Sequence, residues 1–178
     1  MNFSGRTIQN DHIVSWVKTC LDASGIEPSD LLIEITESAL ISDLDTAVRR
    51  MNELKALDVR LAVDDFGTGY SSLNYVKRFP LDFLKIDKAF VDGVTEGPES
   101  SALARAILGL AQALGLETIA EGIEDGEQAV ELSRLGARLG QGYLYSPPLA
   151  ASSMEELIRS GFADESKLSL ARACAAAG

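Results

Sequence analysis

The sequence contains one histidine, His12, and two cysteines, Cys20 and Cys174, far apart and in no CxxC arrangement. That scarcity argues against a disulfide framework and a Cys/His zinc site, and both thiols are expected to stay reduced. Basic residues are also in short supply: sixteen Lys and Arg stand against twenty-seven Asp and Glu, for a net charge of −11. An acidic chain of this kind is not expected to bind a nucleic-acid polymer, and if it handles phosphates it needs cations. Much of the acidity serves solubility. No apolar run approaches ~18 residues and MNFSGRTIQN lacks a signal-peptide layout, so no membrane segment is expected and the chain reads as cytoplasmic. A GxxxxGK[ST] phosphate loop is missing. The DFG at 65–67 has no HRD or Gly-rich loop upstream, which argues against a protein kinase.

What is present is a regular alternation. Of 178 residues, 46% are hydrophobic and 24% charged, proportions that suit one globular domain. The length falls short of the ~250 residues of a complete eight-fold β/α barrel. Helical spacing over 10–24 puts Ile13, Val14, Trp16, Val17, Cys20 and Leu21 on one side, with Trp16 read as core and His12 as surface. LLIEI at 31–35 reads as a strand. Ser42 or Asp43 can cap a helix in which Leu44, Ala47, Val48, Met51 and Leu54 share a face. VRLAVDD (59–65) and FLKID (83–87) follow as strands, with a short helix near 71–78 between them. Further helices are predicted near 99–114, 126–135 and 152–160, and further strands at ETIAEG (117–122) and LGQGYLY (139–145). With NFS as the tail of a first strand, six βα units result, which implies a parallel sheet, either open or closed into a barrel. Residues 163–178 read as a flexible or weakly helical tail.

Polar residues gather where these strands end: Asn2, Glu34, Glu37, Asp64, Asp65, Lys85, Asp87, Glu121 and Gln141. The C-terminal ends of parallel strands are where βα loops converge on an active site. Alternation in FLKID places Lys85 on the opposite face from Leu84 and Ile86, and a buried lysine requires carboxylate partners. Adjacent Asp64 and Asp65 at the end of an apolar strand repel unless a cation neutralises them. Taken alone the pair would read as a cap or an exposed turn; with Glu34, Glu121 and Lys85 it reads as an oxygen-donor site for Mg²⁺ or Mn²⁺. FGTGYSS at 66–72 suits a mobile loop or an ordinary βα turn. Taken singly, Glu37 fits the first turn of a helix, Asp87 a helix cap and Gln141 a satisfied polar group.

The stretches NFSGRTIQ, LLIEITESAL, VRLAVDDFGTGYSSLNYVKRFPLDFLKID, LETIAEGIED and QGYLYSPPL, in this order over residues 2 to about 150, resemble the EAL family of cyclic di-GMP phosphodiesterases. The resemblance implies a TIM-like β/α barrel whose first strand runs opposite to the rest, and hydrolysis of cyclic di-GMP to linear pGpG with two divalent cations, Mg²⁺ or Mn²⁺. It implies metal ligation by Asn2, Glu34, Asp64, Asp65 and Glu121, with Asp64 bridging and Glu121 as ligand or general base. Lys85 would orient the attacking water, Gln141 would assist, Glu37 would brace the 66–72 loop, and Asp87 would lie near metal or substrate. The signature glutamate of the family and the arginine after it have no counterpart in this sequence, and SAL at 38–40 is not that motif. The expectation is therefore an incomplete barrel: the C-terminal six of eight βα units over residues 1–162. The alternative is a catalytically silent module that binds the nucleotide or a protein. Pairing with a second copy through open barrel edges or the loop after Asp65 is a further expectation.

Overall fold

The computed structural model describes residues 1–36, 43–67 and 76–160. The expectations for Glu37, for most of the 71–78 helix and for the 163–178 tail lie outside these residues. The strands are β1 (Asn2–Phe3), β2 (Leu32–Thr36), β3 (Arg60–Phe66), β4 (Phe83–Ile86), β5 (Glu117–Ala120) and β6 (Leu139–Gly140), hydrogen-bonded in sequence order in one sheet. The helices are α1 (Gly5–Ile8), α2 (Ile13–Ser24), α3 (Leu44–Lys55), α4 (Lys88–Val91), α5 (Ala102–Leu114), α6 (Gly126–Leu135) and α7 (Ala151–Ser160). The pairs β1–β2, β2–β3 and β5–β6 are parallel, as alternating βα units require.

Two compact units share the chain: Met1–Lys85 with Ala111–Glu117, and Ile86–Leu110 with Thr118–Gly178. In the first, Ile33 and Ile35 of β2 and Leu61 and Val63 of β3 are buried. Helix α3 buries Ala47, Met51 and Leu54, and Asp43 caps it by accepting the Thr46 N–H at 3.2 Å. Of the two cap candidates, Asp43 therefore fills the role. At the N-terminal end of the strands Asp82 accepts from the Leu61 N–H at 2.8 Å and from Lys55 Nζ at 2.8 and 2.9 Å, while its own N–H donates to Leu61 O. This end of the sheet carries stabilising contacts.

Trp16 corrects the sequence reading. Helix α2 buries Ile13, Val17 and Leu21 at i, i+4 and i+8, whereas Trp16 is 53% exposed beside His12 and Cys20 is exposed. Trp16 precedes Val17 by one residue and so lies about 100° around the helix from the middle of that stripe. Helix α1 went unanticipated. It is only four residues long, set by Ser4, whose Oγ accepts the Thr7 N–H at 3.2 Å.

In the second unit α6 has a capping box: Asp125 accepts the Gln128 N–H at 2.8 Å, and Gln128 Oε1 accepts the Asp125 N–H at 3.3 Å. Asp125→Ala is expected to cost about 1 kcal/mol. In thermal melts that is a fall of about 2–4 °C for a chain of this size. The sixth strand is shorter than predicted. Only Leu139 and Gly140 are extended; beyond them the Leu144 N–H donates to Ile123 O at 2.9 Å and the Tyr145 N–H to Gly142 O at 3.1 Å, so 142–145 form a turn. Gln141 therefore follows the strand and does not lie within it. Among the described residues no helix is long and apolar enough to cross a membrane.

Candidate functional site

In the first unit the predicted residues meet at the C-terminal ends of β1 to β4. Parallel pairing sets Asn2 opposite Glu34 and Thr36 opposite Asp64. Lys85, 3% exposed in β4, lies between two carboxylates: its Nζ is 2.6 Å from Glu34 Oε2 and 3.1 Å from Asp64 Oδ1. The company that a buried lysine demands is thus supplied by carboxylates of β2 and β3, and the surface alternative for Lys85 is excluded.

Strict alternation would send Asp64 and Asp65 to opposite faces of β3. The backbone breaks that alternation, because Asp65 adopts φ +57°, a left-handed conformation uncommon outside glycine. Asp64 Oδ1 accepts the Asp65 N–H at 3.0 Å, and carboxylate oxygens of the two residues come within 4.8 Å of each other. A non-glycine residue held in this conformation costs of order 1–3 kcal/mol, and such strain clusters at functional sites. Three carboxylates with one ammonium leave two formal negative charges in excess. The donors are oxygen only, hard and crowded, which fits a hard divalent cation such as Mg²⁺, Mn²⁺ or Ca²⁺.

In the second unit Glu121 directly follows β5 and Gln141 directly follows β6. Gln141 Nε2 donates to Glu121 Oε1 at 2.6 Å. Their backbones are fixed as well: the Glu121 N–H donates to Ile86 O at 3.0 Å, the Gln141 N–H to Ala120 O at 2.8 Å, and the Ile123 N–H to Gln141 O at 3.1 Å. Asp87 is the N-cap of α4, its Oδ1 accepting the Ala89 N–H at 2.8 Å. Asp87 thus caps its helix, as its position after β4 allows.

The description of the EAL domain family matches residues 1–148. The chain belongs to the EAL domain family. It is 40% identical over 147 residues, 83% of its length, to the cyclic di-GMP phosphodiesterase NbdA of Pseudomonas aeruginosa, of which it spans 19%. The EAL domain of Mycobacterium smegmatis DcpA superposes with a TM-score of 0.86 at 36% identity, covering 92% of this chain and 73% of that one. A manganese and cyclic di-GMP complex of Klebsiella pneumoniae BlrP1 gives a TM-score of 0.76 at 32% identity, covering 83% of this chain and 38% of that one. The chain spans about a fifth of the length of the curated relatives it matches first. The six-stranded sheet with its alternating helices matches the fold of these EAL domains over most of this chain.

Sequence reading of the EAL domain missed two features of the site. One is the left-handed Asp65, for which the glycine two residues on, Gly67 at φ +94°, is the only local signal. The other is Lys88, whose side chain lies against Gly122, next to Glu121.

Proposed function

We propose that this EAL domain hydrolyses one phosphodiester of cyclic di-GMP to give linear pGpG, with two divalent cations, Mg²⁺ or Mn²⁺. The observation that carries this reading is the buried Lys85 ammonium held between Glu34 and Asp64, with Asp65 turned beside Asp64. Asn2, Glu34, Asp64 and Asp65 would supply the oxygen donors at the strand ends of the first unit. A divalent cation held by these residues would polarise phosphoryl oxygens and lower the pKa of an attacking water.

The protein's own groups orient and neutralise. Lys85 can donate to an attacking water and to the negative charge that develops on the phosphoryl group, and its burial strengthens both interactions. Glu121, which the family resemblance makes a metal ligand or the general base, has its carboxylate held in one orientation by Gln141 through the 2.6 Å hydrogen bond. The relative NbdA, a cyclic di-GMP phosphodiesterase, and the manganese and cyclic di-GMP complex of BlrP1 support the assignment.

Incubation with cyclic di-GMP and Mn²⁺ should release pGpG, detected by chromatography. Asp64→Asn should lower turnover by more than roughly a hundredfold, because it removes a charged oxygen donor and one of the carboxylates that face Lys85. Equal turnover by the variant would rule out this metal site. Absence of pGpG from the wild-type chain would reject the reading itself.

A further inference from the structure

Lys88 opens α4, two residues beyond the end of β4, and its side chain crosses the turn that follows β5. A Cβ added at Gly122 would lie 2.6 Å from Lys88 Cγ and 2.7 Å from its Cβ and Cδ, so the lysine stem rests directly on the glycine backbone. Gly122 has φ +68°, and only a residue lacking Cβ admits both that conformation and this approach. Beyond the stem, Nζ lies 2.6 Å from Asp92 Oδ1 and 2.9 Å from Glu124 Oε1. These two carboxylates hold the ammonium in its charged form, and Lys88 has its pKa raised by them. Lys88 thus spans residues 122 to 124 while its own helix anchors the other end.

Glu121 is the residue just before this span. Its N–H is fixed on Ile86, its carboxylate accepts from Gln141, and the following Ile123 N–H donates to Gln141 O. The Glu124 N–H in turn donates to Gln128 Oε1 at 2.8 Å. The turn is held by Gln141, just after β6, on one side and by Lys88 on the other. Surface ion pairs separately contribute little. Here two of them act on one ammonium whose stem is already confined against a backbone, so the head-group costs little further entropy to place.

We propose that Lys88 is a positioning residue: packed on Gly122 and paired with Asp92 and Glu124, it clamps the Glu121–Glu124 turn and fixes the direction of the Glu121 carboxylate. This deepens the phosphodiesterase reading and rests on it for the role of Glu121. The clamp itself can be tested without that reading. Amide hydrogen exchange of the full chain compares wild type with Lys88→Met, which keeps the stem and removes the charge, and with Lys88→Arg. The amides of Ile123 and Glu124 should exchange about three- to tenfold faster in Lys88→Met and return toward wild type in Lys88→Arg. Calorimetric titration with Mn²⁺ should show roughly tenfold weaker binding in Lys88→Met, the size usual for loss of a ligand's support. Turnover should fall chiefly in kcat with KM nearly unchanged.

Gly122→Ala supplies an independent perturbation from the other side of the contact and should speed exchange at the same two amides. Unchanged exchange in both variants overturns the clamp. Faster exchange with unaltered Mn²⁺ binding overturns the link to Glu121. A wild-type chain that neither binds Mn²⁺ nor releases pGpG overturns the phosphodiesterase reading and with it the role of the clamp in catalysis, and faster exchange in Lys88→Met would still establish the clamp.

Discussion

Lys85→Met is expected to lower the melting temperature by roughly 10 °C and to abolish hydrolysis of cyclic di-GMP. In the wild-type chain the Lys85 side chain is 4% exposed, and those of its partners Glu34 and Asp64 are 17% and 14% exposed. Removing the cation leaves two largely buried carboxylates facing each other without a counter-charge. Breaking a buried ion pair by deleting one partner costs about 3–5 kcal/mol, and each kcal/mol shifts the melting temperature of a chain this size by about 2–4 °C. Methionine keeps the volume and flexibility of the stem, so the loss reports charge rather than a cavity. Adding Glu34→Gln to Lys85→Met should recover part of the stability, because one of the facing charges is then gone. Differential scanning calorimetry of the single and double variants checks this. A single variant as stable as wild type would show that Lys85 is not the counter-charge.

The second large effect is expected from a methyl group. In Gly142→Ala the new Cβ would lie 2.2 Å from Ile123 O, 2.3 Å from Ile123 N and 2.8 Å from Ile123 C, all backbone atoms that no rotamer change can move. The φ of +156° is also one that an L side chain rarely adopts. Strain and overpacking together should cost about 2–4 kcal/mol. The functional consequence follows from the neighbour: displacing residue 142 moves Gln141 off Glu121 Oε1, so Gly142→Ala should lose turnover even where it remains folded. Gly109→Ala is the control. Gly109 lies inside α5 with nothing within 4 Å of its added Cβ. That variant should gain about 0.5–1 kcal/mol of stability from helix propensity, with turnover unchanged. Urea denaturation and pGpG release measured on both variants separate the outcomes.

Much of the architecture is legible along the chain because its signals are local. Helix α6 runs from a capping aspartate to Gly136, and both ends are written in neighbouring residues. The buried faces of α3 and β2 follow from apolar spacing. Trp16 shows where such reasoning stops, since apolar character does not reveal which side of a helix has a partner; three aliphatic residues one step around the helix claim that side. LGQGYLY shows the same for strands. Its composition permits an extended run, but hydrogen bonds to Ile123, distant in sequence, fold it into a turn after two residues.

By itself the sequence determined that oxygen donors and a lysine stand at the ends of parallel strands, because strand period and βα alternation depend on nearest neighbours along the chain. It also placed the chain in the EAL domain family, through stretches of residues that need no coordinates to read. Only the tertiary structure decided which charges meet. Lys85 finds Glu34 and Asp64, 51 and 21 positions away in sequence, on strands that the fold sets side by side. The left-handed backbone at Asp65 was likewise settled there, as was the passage of Lys88 across Gly122, which depends on segments brought together from separate βα units.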